Sequence, residues 1–332
     1  ENEDEIENED EKATAGAPVP LIILTGFLGA GKTTVLNRVL TEQHRRRIGV
    51  IINELGRIDI DTRLIKARAG DVMELAGGCV CHEVRVQSEL WRGIREVIAR
   101  SSPELVVLET TGIAEPWSIL DGLAALPPRL APVVPGGVVC VVDAEAGARQ
   151  LERHEEARAQ VEAADRILIS KMDLARAEQA VALHGILAQR NPAAERASFP
   201  LTAAGTAELI PWLLNPAPRG PGAARRGHAP HQHSQLGAAA FADDVPLLGP
   251  PLLALCDRLG EALLRAKGFV HIAGEARRAF LERAGARTSL TLGEPWGAET
   301  PRTELVFIGE GLDAAALRRQ LWACRAPGAS AG

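Results

Sequence analysis

Residues 20–34 read PLIILTGFLGAGKTT, and the reading of this stretch decides the fold. PLIILTG is an apolar run without helical spacing, the pattern of a strand buried on both faces. From Gly26 to Thr33 the next residues fit G-x-x-x-x-G-K-[ST] with every fixed position filled, and TTVLNRVLTEQH follows with helical spacing. A strand, a glycine turn and a helix in that order form a phosphate-binding loop. Backbone N–H groups over Gly26, Gly29, Ala30, Gly31, Lys32, Thr33 and Thr34 can surround phosphate oxygens, and the new helix adds its positive end. Lys32 can reach the β- and γ-phosphates, and the Thr33 hydroxyl can ligate Mg²⁺.

Working outward, short apolar runs alternate with amphipathic stretches, the signature of an α/β fold with a mostly parallel sheet flanked by helices. IGVIINE and VMEL read as strands, VRVQSELWRGIREVIARS as a helix, and ELVVLE, GGVVCVVDA and RILISK as further strands, the last two separated by one helix. LVVLETTG places Glu109 at a strand exit, where a carboxylate can bind Mg²⁺ or orient an attacking water, while Gly112 lets a backbone N–H approach the γ-phosphate. ILISKMD ends a strand with Lys171 and Asp173. Asp173 can accept from the two N–H donors on guanine's edge, and the Lys171 stem can pack on the purine. That donor pair is absent from adenine, which favours GTP. Between these, NELGRIDID carries Glu54, Asp59 and Asp61, either Mg²⁺-ordering acids of a first switch segment or the acids of a solvated loop.

Composition bounds the rest. The chain has 332 residues, 46% hydrophobic and 24% charged, ordinary for a globular protein. The formal charge of −6 is concentrated in ENEDEIENEDEK, residues 1–12, leaving the remainder near neutral. No basic field for nucleic acid and no apolar run for a membrane span is present. Residues 1–17 read as a disordered acidic tail unlike a secretory leader, and the location expected is cytoplasmic. Residues 215–235, NPAPRGPGAARRGHAPHQHSQ, lose all periodicity, so 18–214 reads as one domain, 215–245 as a linker, and 246–325 as a smaller α+β domain. In that last region PPLLALCDRLGEALLRAKG is expected as one helix, followed by the strands FVHIAG, TSLTLG and TELVFIG and a final helix.

The five cysteines form no disulfide framework. Cys140 and Cys256 lie in apolar periodic contexts and read as packing. Cys79 and Cys81, in GGCVCH, stand one residue apart with His82 beside them. Two thiolates and an imidazole can make a three-ligand set with an open position, the Gly77–Gly78 pair giving the turn its freedom. Two small hydrophobes beside a helix start, with His82 as its cap, is the other reading. Donor type favours Zn²⁺, with Co²⁺, Ni²⁺ and copper close behind. His228, His231 and His233 form a second histidine tract that can hold metal loosely or be incidental.

Taken in order, GFLGAGKTT, NELGRIDID, GGCVCH, ETTGIAEP and SKMD resemble the CobW family of P-loop GTPases, and LLRAKGFVHI and RTELVFIGEGLD resemble its C-terminal domain. The resemblance covers roughly residues 18–323. It implies GTP hydrolysis with Lys32 and Glu109 as catalytic residues, and Mg²⁺ held by Thr33, Glu54, Asp61 and Glu109. It implies a GTP-dependent transition-metal site that places the first two cysteines of the family's Cys-x-Cys-Cys motif on Cys79 and Cys81, and delivery to a client apo-metalloenzyme by a monomer or homodimer. The chain departs from that motif at His82, and from the family's nucleotide-specificity motif at Ser170, where asparagine is usual and weaker loop support is expected. An assembly accessory for a metal- or cobalamin-dependent enzyme, and a P-loop small-molecule kinase, are the alternatives. No arginine finger is identifiable in the sequence, so slow intrinsic turnover is expected.

Overall fold

A computed structural model of the chain describes residues 19–41, 46–54, 72–76, 84–126, 133–200, 202–216 and 236–327. Its first sheet has seven strands in the order β3-β2-β4-β1-β5-β6-β7, every pair parallel. The strands are β1 (Val19–Thr25), β2 (Ile48–Glu54), β3 (Val72–Ala76), β4 (Leu105–Glu109), β5 (Val133–Asp143), β6 (Arg166–Ser170) and β7 (Glu195–Ala197). β1 lies between β4 and β5, with Leu24 opposite both Glu109 and Val139. Helices cover both faces, which is why the strands read as unbroken apolar runs.

Alternate residues of each strand feed opposite cores. Ile22, Leu24, Val50, Ile52 and Val107 pack under α1 (Lys32–Thr41) and α7 (Ala203–Leu214). Leu21, Ile23, Ile51, Val106 and Leu108 pack under α2 (Val84–Ser101) and α3 (Pro116–Ala125). Cys140, Val142, Ile167 and Ile169 meet α4 (Gly147–Arg153), α5 (Glu155–Ala163) and α6 (Ala177–Arg190). The single helix expected between β5 and β6 is thus two, broken at His154, whose backbone is extended at φ −116°, ψ 126°. Burial raises the Cys140 thiol to about 12 and the Cys256 thiol to about 11, as befits packing cysteines.

The second sheet is antiparallel, in the order β11-β10-β9-β12-β8. Its strands are β8 (Leu236–Asp243), β9 (Leu263–Val270), β10 (Arg277–Ala284), β11 (Arg287–Pro295) and β12 (Thr303–Glu310). α8 (Gly249–Leu259) and α9 (Ala314–Trp322) close one face over Phe241, Leu305 and Phe307. Val306 and Ile308 point the other way, into the cluster built around Phe27 and Leu28 of the first unit.

Two sequence expectations need correction here, and one strand had gone unread. β8 falls inside the expected linker, because LGAAAFAD is alanine-rich yet alternates, with Ala239 and Phe241 buried. The expected long helix stops at Leu259. Gly260 takes φ +57° there, and LLRAKGFV becomes β9 although its apolar spacing suits a helix. β10, RRAFLERA, is a strand that charge had hidden. No helix among the described residues is long and apolar enough to cross a membrane.

Candidate active site

The chemistry collects at the carboxyl ends of β1, β4, β5 and β6, where open parallel sheets bind ligands. β1 ends at Thr25, and the loop turns at Gly26 with φ +143°. A Cβ there would sit 2.3 Å from the Val141 carbonyl oxygen of β5, so glycine is required by space as well as by φ. The Ala30 N–H donates to the Phe27 carbonyl at 3.1 Å, closing the turn, and α1 begins at Lys32.

Lys32 lies folded into its own loop, its Nζ donating to the carbonyls of Gly26 at 2.8 Å and Phe27 at 3.4 Å. Only 5% of the residue is exposed, and burial pulls its pKa down to about 8, partly offset by the Glu109 carboxylate. Thr33, the first residue after it, donates its hydroxyl to Glu109 Oε1 at 2.8 Å. Glu109 ends β4 almost fully buried, and its Oε2 has no hydrogen-bond partner among the described residues. Burial pushes this carboxyl above its ordinary range, against the opposing pull of Lys32 and of the Thr33 hydrogen bond. A buried carboxylate oxygen with no donor is a costly feature, resolved when a cation or a water meets it.

Gly112 sits where only a glycine fits against the phosphate loop. A Cβ there would meet Leu28 Cδ2 at 2.6 Å and the Leu28 nitrogen at 2.8 Å, so the glycine lets this turn close against the phosphate loop. Its carbonyl, with that of Ala114, accepts from the buried Gln160 amide at 3.1 and 3.0 Å.

The β6 end supports the loop from the other side. The Ser170 hydroxyl donates to the Ala30 carbonyl at 2.6 Å and to Val142 at 3.3 Å. The serine thus does reach the loop, because the strand end lies close enough for a short side chain. Lys171 takes φ +55° and donates its Nζ to the Gly29 carbonyl at 2.6 Å and to Asp143 Oδ2 at 2.8 Å. Asp143 was missed in the sequence. Its Oδ1 accepts from the N–H groups of Glu145 and Ala146 at 2.8 and 3.2 Å, so one carboxylate caps a turn and holds Lys171. The available signal was an aspartate closing the apolar run GGVVCVVD. Asp173 lies exposed in the turn after Lys171.

The structure therefore brings together Gly26, Gly29, Ala30, Gly31, Lys32, Thr33, Glu109, Gly112 and Lys171, with Thr34 in the first turn of α1 and Asp173 at the rim. Glu54 ends β2, but its side chain is outside the described residues. Asp59, Asp61, Cys79, Cys81, His82, His228, His231 and His233 also lie outside them. Among the described residues no group of three or more His, Cys, Asp or Glu is placed to hold a metal ion.

Residues 20–197 match the family described as CobW/HypB/UreG, nucleotide-binding domain. The chain belongs to this family. Residues 237–325 match the cobalamin synthesis protein cobW C-terminal domain, so the CobW/HypB/UreG nucleotide-binding unit is followed by the CobW C-terminal unit. The zinc chaperone YjiA of Escherichia coli is 30% identical over 311 residues, spanning 88% of this chain and 94% of that protein. The zinc chaperone CobW of Pseudomonas aeruginosa is 32% identical over 350 residues, spanning 92% of this chain and 91% of its own. The solved structure of Zn(II)-bound YjiA GTPase from E. coli aligns with 94% of this CobW-family chain and 100% of its own, at 25% identity and a TM-score of 0.41.

Proposed function

We propose that this protein is a GTP-hydrolysing metallochaperone that takes a transition metal, Zn²⁺ first, as cargo and passes it to a client apo-metalloenzyme. The observation that carries the nucleotide half is the part-buried Thr33–Glu109 hydrogen bond beside Lys32, with the second Glu109 oxygen unpartnered among the described residues. That pair of oxygens suits a hard cation, so Thr33 and Glu109 would hold Mg²⁺, joined by Glu54 or Asp61. Mg²⁺ supplies neutralisation of charge on the β- and γ-phosphate oxygens.

In this reading the loop N–H groups from Gly29 to Thr34 cradle the phosphates, and Lys32 exchanges its carbonyl partners for phosphate oxygens. Glu109 then orients the attacking water. Lys171, fixed by Asp143, and Asp173 would frame a guanine. The cargo half is supported by the donor chemistry of Cys79, Cys81 and His82, and by relatives named zinc chaperones. Two thiolates and one imidazole leave a position open for a receiving ligand. Domains 18–214 and 246–325 are carried into this proposal with one change, the C-terminal unit beginning at β8.

The test is zinc titration of the full chain with Mg²⁺ and a non-hydrolysable GTP analogue, then without nucleotide. One tight equivalent in the GTP state, weakened about tenfold or more by Cys81→Ser or His82→Ala, is expected from loss of one ligand. Unchanged zinc affinity in both variants would overturn the cargo site. Tighter binding of an ATP analogue than a GTP analogue would favour a small-molecule kinase instead.

A further inference from the structure

The break between α4 and α5 has a consequence at the phosphate loop. His154, at the break, is 6% exposed, and its ring stacks on Phe27 with centroids 4.5 Å apart and 20° between planes. Phe27 is the loop residue whose carbonyl accepts from both Ala30 and Lys32. On the other side of the imidazole, Nδ1 lies 3.7 Å from Glu310 Oε1, at the end of β12 in the second sheet. Glu310 Oε2 meets Arg153 at 3.6 Å, and Arg153 also binds Glu261 at 2.8 Å. A short chain of contacts thus runs from the phosphate loop, through one ring, to the C-terminal unit.

Three further features follow the same line. Ile308, two residues before Glu310, packs in the cluster that holds Phe27, Leu28 and Leu151. Arg265 on β9 is directly opposite Ile308, so it shares the sheet face turned toward that cluster. Its charge is felt at both Lys32 and Glu109. Beside the His154 ring lies a cavity of about 200 Å³ lined in part by Phe27, Arg153, Glu261 and Arg283. The interface is tightly joined at the ring and loose next to it, which gives the ring room to shift.

We propose that Phe27, His154 and Glu310 couple occupancy of the phosphate loop to β12 of the C-terminal sheet, with His154 the positioning residue between them. This rests on the nucleotide reading of the loop. As Lys32 reaches a phosphate, its ammonium shifts away from the Gly26 and Phe27 carbonyls. The Phe27 carbonyl then keeps only its Ala30 donor, which lets the turn that carries the Phe27 ring adjust, and His154 passes the movement to Glu310. Burial keeps the imidazole pKa below its ordinary value, with Glu310 opposing, so the ring stacks in its neutral form at neutral pH.

The experiment is hydrogen exchange on the full chain, with and without a non-hydrolysable GTP analogue and Mg²⁺. Wild-type protein is expected to show protection over residues 26–34 and an exchange change of about fivefold or more over Thr303–Glu310, the lower end of ordinary coupling between sites. His154→Ala is expected to bind the analogue more weakly and lose the β12 response. His154→Phe keeps a ring against Phe27 and should restore affinity without the β12 response. If His154→Ala fails to fold, Glu310→Gln should bind the analogue as wild type does and lose the same response. Loop protection without any β12 change in wild type overturns the coupling, as does a full response in His154→Ala or Glu310→Gln. Absence of loop protection in wild type overturns the nucleotide reading itself.

Discussion

Lys32 carries its charge in a place where charge is expensive. Its pKa falls from 10.5 to about 8, chiefly through burial, so the loop holds a cation at a cost of about 3 kcal/mol at neutral pH. Between about pH 8 and 10.5 the unfolded chain binds more protons than the folded one, so this group makes stability rise with pH across that window. Below pH 8 the full cost is present. Nucleotide-free wild type is therefore expected to gain thermal stability from pH 8 to pH 10 relative to Lys32→Met. Parallel melting curves for the two would contradict it. The same residue shows what was legible in the sequence. Lys32, Thr33 and Glu109 were readable because each occupies a fixed place after an apolar strand. Asp143 was not, since its partner Lys171 lies 28 residues away and a strand-end aspartate reads as an ordinary turn residue.

At the scale of elements, the site is a set of strand ends held in register by side chains that bond to neighbouring backbone and to one another. Ser170 is the clearest, its hydroxyl tying the end of β6 to the Ala30 carbonyl at 2.6 Å. Ser170→Ala removes one donor and leaves a part-buried carbonyl short of a partner, which costs about 1 kcal/mol. GTP affinity is expected to fall about fivefold in calorimetric titration, because that 1 kcal/mol is lost where the loop must be preorganised. Unchanged affinity with lowered stability would reduce Ser170 to a packing role. Parallel strands β1 to β6 were legible because burial on both faces leaves mostly apolar residues, whereas β7, the short and exposed or half-buried ERA, was not. The antiparallel ones were harder. LLRAKGFV continues the helical spacing of α8, and only the φ +57° turn at Gly260 separates them. RRAFLERA alternates with charges that its partner strands accommodate, Arg283 donating to the carbonyls of Leu263 and Gly260 at 3.0 and 2.6 Å.

Across the whole molecule, two sheets that the sequence separates by a proline- and glycine-rich stretch share one apolar cluster. Phe27, Leu28, Leu151, Leu183 and Ile308 are buried together, with Leu264 and Val306 packed against them. The ion pairs at the same boundary, such as Arg287 with Glu145 at 2.7 Å, are half-exposed and add little. Apolar contact is what joins the units, and its first residue on the nucleotide side belongs to the phosphate loop. Ile308→Ala should therefore destabilise the protein by about 2–5 kcal/mol, the range for a large-to-small change in a core. It should do so with a single urea transition, because the cavity opens in a cluster that both sheets use. GTP affinity should fall as well, since Phe27 of the phosphate loop is buried in the same cluster. Two separated transitions, with nucleotide binding preserved through the first, would show that the sheets fold and act independently. Only the shared cluster predicts one transition and weaker binding from a substitution on β12.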